Sequence, residues 1–414
     1  MWAILFEEFW GDLKAQKTRA FLTMFAITWG TIAIVLLLAF GEGLGDAFMR
    51  GTVNAGNHIL MIYGGETGMT YEGLPKGRRI RLDESDLALL KETIPGIDFA
   101  SASYAKWGST FAYGSVKSTT YMEGVQPQFE MLRSMYPDSG GRFIDQQDVA
   151  LKRRVLFLGD SMAFRLFKGA NPIGKTVTVD RVPFTVIGVM EDKLQFDNNN
   201  GPDADRAIIP ASTFASMYGQ HYVDHLIVRP RDVALAPRVK REVYETLGRR
   251  HKFDARDVRA LGIWDFVEET KMISGISTGI QVFLTVVGGF TLLIAGVGVA
   301  NIMYVVVRER TREIGVKLAV GARRKHIMSQ FVFEALLLCL TGGAIGLAIS
   351  GTVVGLVRMV PQSTMTLQIL ANPILSWPVA FTAVGILTVI GLAAGYLPAR
   401  RAAAVDPVES LRYE

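Results

Sequence analysis

The sequence predicts an α-helical membrane protein with four transmembrane helices plus a large α+β extracytoplasmic domain inserted between helices 1 and 2. Three observations predict it. Long uncharged stretches occur in four places, each able to cross a bilayer as a helix. The lysine and arginine clusters beside those stretches all fall on one side once the spans are threaded alternately. Between the first and second stretch lies a long region of soluble character, with charges throughout and frequent turn signals.

Composition narrows the class. Half of the 414 residues are hydrophobic, and they are clumped, while Lys+Arg exceeds Asp+Glu by only 44 to 39. Basic residues flank apolar runs, which fits membrane orientation; no nucleic-acid motif is present, so nucleic acid is not expected as a partner. The single cysteine, Cys339, excludes a disulfide within the chain.

Residues 1–19 read as an interfacial amphipathic helix. Trp2, Leu5, Phe6, Phe9 and Leu13 recur at helical spacing, whereas Glu7, Glu8 and Asp12 occupy the place of a signal peptide's basic region. The first transmembrane helix is placed at 20–43, where Ala20 to Gly41 gives 22 uncharged residues. Lys14, Lys17 and Arg19 before it and Glu42 and Asp46 after it put the N-terminus in the cytoplasm.

The extracytoplasmic α+β domain is placed at 44–271. Strands are expected at His58 to Tyr63, Thr176 to Val179, Phe184 to Val189 and His225 to Val228, and helices at Glu84 to Thr93, Asp160 to Phe167 and Val233 to Arg249. Met272 to Val307 is then 36 residues without a charge. A helix of that length spans about 54 Å against a hydrocarbon core of about 30 Å. Residues 272–307 therefore read as a stalk leading into the second transmembrane helix near Phe283.

Residues 308–326 form a short basic insert. Between Val307 and Phe331 seven Lys/Arg residues face two carboxylates, Glu309 and Glu313, so the insert should stay cytoplasmic. Ile314 and Leu318 share one helical face, and Gly321 is placed to stop the helix in a left-handed conformation. The third transmembrane helix follows at 327–358 and a short external loop at 359–376. Residues 377–397 make the fourth transmembrane helix, with Trp377 as an interfacial anchor, and 398–414 a cytoplasmic tail held by Arg400, Arg401 and Arg412. Glycines four apart, Gly342/Gly346, Gly351/Gly355 and Gly391/Gly395, favour close helix packing in a bundle or a dimer.

One motif is rejected. Gly169 to Thr176, including Gly174 and Lys175, matches the phosphate-loop pattern GxxxxGK[ST]. Such a loop needs a strand before it and a helix after it; here a helical pattern precedes and strand patterns follow, and Pro172 lacks an N–H. The five histidines, His58, His221, His225, His251 and His326, form no metal motif, and no catalytic set stands out. The chain therefore reads as a non-enzyme, with no cofactor or metal expected.

At the basic insert, RTREIGVKLAVGARRKHIMSQFVFEALLLCLTGGAIG (Arg310 to Gly346) resembles the segment after the second span in ABC transporter permeases of the MacB/FtsX type. The ending from Leu397 to Ala403 and from Asp406 to Glu414 is similar to the family's ending, and VLFLGDSMAFRLFKGANPIGKTVTVDRVPFTVIGV (Val155 to Val189) looks like part of its extracytoplasmic domain. The resemblance implies a permease working with a cytoplasmic ABC ATPase subunit and a homo- or heterodimeric permease partner. A periplasmic adaptor is an open further partner. It also implies that the insert is a coupling helix docking on the ATPase through Arg312, Glu313, Ile314, Gly315, Lys317, Ala319, Gly321 and Ala322. Unlike MacB itself, this sequence starts without an ATPase domain, so ATP hydrolysis is expected from a separate chain. The implied function is mechanotransmission that drives export or extraction of a peptide, drug or lipoprotein from the bacterial inner membrane. The alternative is an FtsX-like regulator of an external partner such as a cell-wall hydrolase.

Overall fold

The computed structural model describes residues 17–56, 58–195, 200–361, 367–368 and 372–404. The expected interfacial helix at 1–19, except its last three residues, lies outside the described residues. So do the tail beyond 404 and part of the expected external loop at 359–376. In chain order the main elements are α1 (Lys17–Ala55), β1 (Leu60–Gly64), α2 (Glu84–Thr93), β2 (Ile97–Tyr113), β3 (Val116–Val125), β4 (Val155–Leu158), α3 (Asp160–Phe167), β5 (Thr176–Val179) and β6 (Val182–Val189). There follow β7 (Ala207–Pro210), α4 (Ala211–Tyr218), β8 (His225–Pro230), α5 (Ala236–His251), β9 (Leu261–Asp265), α6 (Phe266–Glu309), α7 (Thr311–Ala319), α8 (Arg324–Arg358) and α9 (Trp377–Ala403). They divide into two units, one comprising residues 48–274 and the other the chain on either side of it.

In the unit 48–274 all nine strands join one sheet, in the order β3-β7-β4-β6-β5-β2-β8-β1-β9, with β3 also paired to β2. That extra pairing closes six strands into a ring. It is possible because β2 is 17 residues long. Residues Ser103 to Tyr113 pair with β3, Phe111 and Ala112 also pair with β5, and the first half pairs with β8. A bulge between Lys106 and Ser109 bends the strand to serve both parts. Closure leaves few exposed edges on a domain that has no disulfide. The short strands show the expected alternation: Val177 and Val179 are buried, while Thr176 and Thr178 face out. Phe111, Phe184, Leu156 and Phe214 fill one core, and Phe129, Phe143, Phe157 and Phe266 fill another.

A chain of charges runs through this interior. Arg133 Nη2 lies 2.8 Å from Asp203 Oδ1, and Arg206 reaches the same oxygen at 3.1 Å and Glu123 Oε2 at 2.8 Å. All four side chains are buried. Burial alone would raise the Asp203 pKa, but Arg133, Lys193 and Arg206 together hold it far below the usual carboxylate range.

Four helices, α1, α6, α8 and α9, are long and apolar enough to cross a membrane by length and composition; residues 48–55 of α1 and 266–274 of α6 belong to the unit 48–274 and the rest of the four to the other unit. The helices outrun the uncharged stretches: α1 continues to Ala55, α6 begins at Phe266, and α9 passes through Pro398 to Ala403. Absence of charge marks the part that tolerates lipid, whereas a helix also persists in water where it is packed or capped. Two of the three glycine pairs sit at close helix approaches inside this chain, with no room for a Cβ. A Cβ on Gly342 or Gly346 would meet Ile27 at 3.0 Å or Thr31 at 2.7 Å on α1, and Thr28 Oγ1 donates to the Gly342 carbonyl at 3.1 Å. A Cβ on Gly391 or Gly395 would meet Cys339 at 2.9 Å or Ala335 at 2.7 Å on α8. Gly355 faces open space. The first helix carries a further pair at the same four-residue spacing, also at close approaches: Gly41 against Leu284, and Gly45 against Ser277.

Two outcomes are expected from the buried charges. Asp203→Asn leaves Arg133 and Lys193 without their buried counter-charge, while Arg206 keeps Glu123, and should destabilise the domain by about 3–5 kcal/mol, measured by thermal denaturation of the solubilised chain. Because the folded pKa of Asp203 lies below its unfolded value, its contribution is complete above the unfolded pKa of about 3.9 and is lost as pH falls toward the folded value. The melting temperature should therefore drop on acidification below about pH 4, and less steeply in the Asn variant.

Candidate coupling site

The site is a helical corner. α6 ends at Glu309, Arg310 takes a non-helical conformation at φ −94 and ψ 11, and α7 starts at Thr311. The Thr311 hydroxyl donates to the carbonyls of Val307 at 3.2 Å and Arg308 at 2.8 Å, engaging acceptors that the end of α6 leaves open. Arg310 Nη1 reaches Glu334 of α8 at 3.8 Å. On the far side, Gly321 sits at φ +99. Gly321 N–H donates to the Leu318 carbonyl at 3.0 Å, and Ala322 N–H donates to the Lys317 carbonyl at 2.9 Å. That is a Schellman stop, at a backbone conformation that a residue with a Cβ adopts only at a cost of about 1–2 kcal/mol. Both ends of α7 are thus fixed.

Helical periodicity then sorts the predicted docking residues. Ile314 is 3% exposed and shares a core cluster with Met303, Val307, Ile327 and Phe331, and Gly315 is buried beside it. These two hold the helix to the bundle and present no surface. Arg312, Glu313, Ala319 and Gly321 are exposed, and Lys317 and Ala322 are half-buried. Glu313 and Lys317 pair at 3.3 Å in the favourable i,i+4 order. Sequence reasoning missed Val316 and Val320, which are 45% and 84% exposed on the outward face. Their signal was present: two valines four apart, out of phase with the Ile314/Leu318 stripe. Nearby, Arg401 stacks over the Tyr304 ring at 4.6 Å, joining α9 to α6 on the same basic side.

The phosphate-loop look-alike is a connection from the end of α3 into β5. Four of its N–H groups are engaged locally: Gly174 donates to Val186 at 2.8 Å, Lys175 to Pro172 at 3.0 Å, Ala170 to Phe167 at 3.0 Å, and Ile173 to the Asn171 side chain at 3.0 Å. The loop lines a cleft of about 460 Å³ together with Asp138, Asp160 and Asp192. Burial, reinforced by the charge of Asp192, raises the Asp160 pKa. A wall of carboxylates repels phosphate. Among the histidines, His225 is buried in β8 with Nδ1 3.0 Å from Asp224, and His251 Nε2 lies 2.9 Å from Asp86.

Among the described residues, four membrane-length helices, an α+β domain inserted after the first, and a short helix fixed at both ends between the second and third describe a multi-pass membrane protein. Residues 20–245 match the family described as MacB-like periplasmic core domain, and residues 285–407 match FtsX-like permease C-terminal. The first match covers more than half of the chain, which belongs to the MacB-like family of ABC transporter permeases. It is 30% identical over 412 residues to the macrolide export ATP-binding/permease protein MacB of Bdellovibrio bacteriovorus, covering 97% of this chain and 60% of that protein. It is 32% identical over 406 residues to the probable syringafactin export ATP-binding/permease protein SyfD of Pseudomonas syringae pv. tomato, covering 97% of this chain and 58% of that protein. The chain thus spans about 60% of the length of such relatives. Among solved structures, the periplasmic region of MacB from Actinobacillus actinomycetemcomitans is similar at 20% identity and a TM-score of 0.43, covering 55% of this chain and 97% of that one.

If the look-alike loop bound nucleotide, titrating the solubilised chain with ATP or ADP would give a saturable signal lost in Lys175→Ala. The expected result is no saturable binding in either protein.

Proposed function

We propose that this chain is the permease subunit of an ABC transporter whose ATP is hydrolysed by a separate cytoplasmic ATPase, and that α7 is the joint between them. The observation that carries the reading is the sorted surface of α7. Ile314 ties it to the bundle, the Arg310 corner and the Gly321 stop fix its ends, and Arg312, Glu313, Val316, Ala319 and Val320 face outward. A helix held in this way passes on a push rather than absorbing it. With the basic clusters inside, both termini lie in the cytoplasm and the inserted domain outside. The relatives named for macrolide and syringafactin export support an exporter; the proposed substrate is a peptide, drug or lipoprotein. A second permease copy and an external adaptor complete the proposed assembly.

α6 is 44 residues long, about 66 Å, roughly twice the hydrocarbon thickness, so one continuous element serves both the basic corner and the start of the external domain. ATP-driven closure of the ATPases then moves α7, and α6 carries that movement outward as a lever.

Val320→Asp tests the joint. Val320 is exposed, so the variant should fold and insert normally, while a carboxylate pressed into a partner's groove is left without a hydrogen bond. Co-purification with the ATPase should weaken by on the order of tenfold, since roughly 1.4 kcal/mol is enough for that change. Unchanged co-purification would remove α7 as the docking element.

A further inference from the structure

The last turn of a helix leaves carbonyls without partners inside the helix. At the end of α1 one of them is taken by a buried cation from a distant loop. Lys193 Nζ donates to the Asn54 carbonyl at 3.0 Å, to the Arg133 carbonyl at 2.6 Å and to the Ser134 carbonyl at 3.4 Å. It also lies 2.8 Å from Asp203 Oδ2, and the Lys193 side chain is only 9% exposed. The contact is returned: Asn54 Nδ2 donates to the Leu194 carbonyl at 3.0 Å. A positive charge at a helix C-terminus is stabilised by the carbonyls that converge there, and this ammonium meets the ends of α1 and of the short helix Phe129–Leu132 together.

Asp203 is the same buried carboxylate that Arg133 and Arg206 grip, and Arg206 continues to Glu123 in β3. The ring's interior is therefore connected by charged hydrogen bonds to the last turn of α1, which belongs to the same unit, 48–274. Stability alone gives little reason for such a chain, because apolar residues of similar volume often serve a core equally well or better. What an ion chain supplies and an apolar contact does not is directional resistance: slipping the helix end by one residue would strand a buried ammonium.

We propose that Lys193 is the pin through which the first membrane helix moves the external domain, a positioning residue that makes the last turn of α1 and the strand ring travel as one body. This rests on the reading above, that ATP hydrolysis elsewhere moves the membrane helices. α1 thereby carries a specific mechanical contact, in addition to the lever role of α6.

The test is hydrogen exchange of the permease–ATPase complex in lipid nanodiscs, with and without ATP and vanadate, for the unaltered chain, Lys193→Met, Lys193→Arg and the milder Asn54→Ala. In the unaltered complex, nucleotide should change exchange in residues 48–55 and in β3 and β7 together. In Lys193→Met the response of residues 48–55 should remain and that of β3 and β7 should be lost. Lys193→Arg should restore it, and Asn54→Ala should reduce it. Val177→Ala, a core truncation in the same ring, should lower the melting temperature yet keep the nucleotide response, which separates pinning from general stability. A full β3 and β7 response in both Lys193→Met and Asn54→Ala overturns the pin while leaving the proposed coupling intact. No response to nucleotide in the unaltered complex overturns the coupling itself, and the pin with it.

Discussion

Burial of Ile314 decides how the basic corner works. One side chain, 3% exposed within the bundle core, sets the rotation of a nine-residue helix about its axis. Every other property of the corner follows from that rotation and the 3.6-residue period. Arg312 and Val316 are turned outward, Leu318 is turned in, and Val320 is left on the rim beside the Gly321 stop. Without the anchor, a short amphipathic helix rich in charge would have no fixed face, since isolated helices of this length are marginal in water. The ion pair from Arg310 to Glu334 and the Thr311 hydroxyl then hold the approach to the corner.

The external unit shows the complementary strategy. Its ring of strands needs no disulfide because closure engages backbone groups that would otherwise form edges. It tolerates buried charge because each member of the chain Arg133–Asp203–Arg206–Glu123 has an opposite partner within about 3 Å. Bundle and ring thus use different glue. Helix approaches at Gly342, Gly346, Gly391 and Gly395 give close packing where hydrophobic driving force is weak, and the ring unit adds buried charge pairs to its apolar cores.

Local features of the fold were legible in the sequence. The four uncharged stretches, the alternation at Thr176 to Val179, and the helical pattern at Asp160 to Phe167 all follow from period and composition, and each appears in the structure. Ring closure was not legible, because it depends on β2 bending at a bulge and pairing with three partners, information absent from any local window. Nor was the ion chain: Arg133 and Asp203 are 70 residues apart, and Glu123 and Arg206 are 83 apart, so each reads singly as a surface charge. In the candidate site, the position and stop of the helix could be read from Gly321 and the Ile314/Leu318 stripe. The docking set taken from family resemblance mixed two faces. It included Ile314 and Gly315, which the bundle buries, and left out Val316 and Val320, which it exposes.

The central claim is that this corner lies in the cytoplasm and is covered by an ATPase. Its most direct measurement is thiol accessibility at Val320→Cys in a Cys339→Ala background, which removes the one native cysteine. A membrane-impermeant maleimide should leave the site unlabelled in intact cells and label it in inverted vesicles stripped of the ATPase. Adding the ATPase back with nucleotide should restore protection. Labelling from the outside of intact cells, or labelling in vesicles that the ATPase does not alter, would contradict the account.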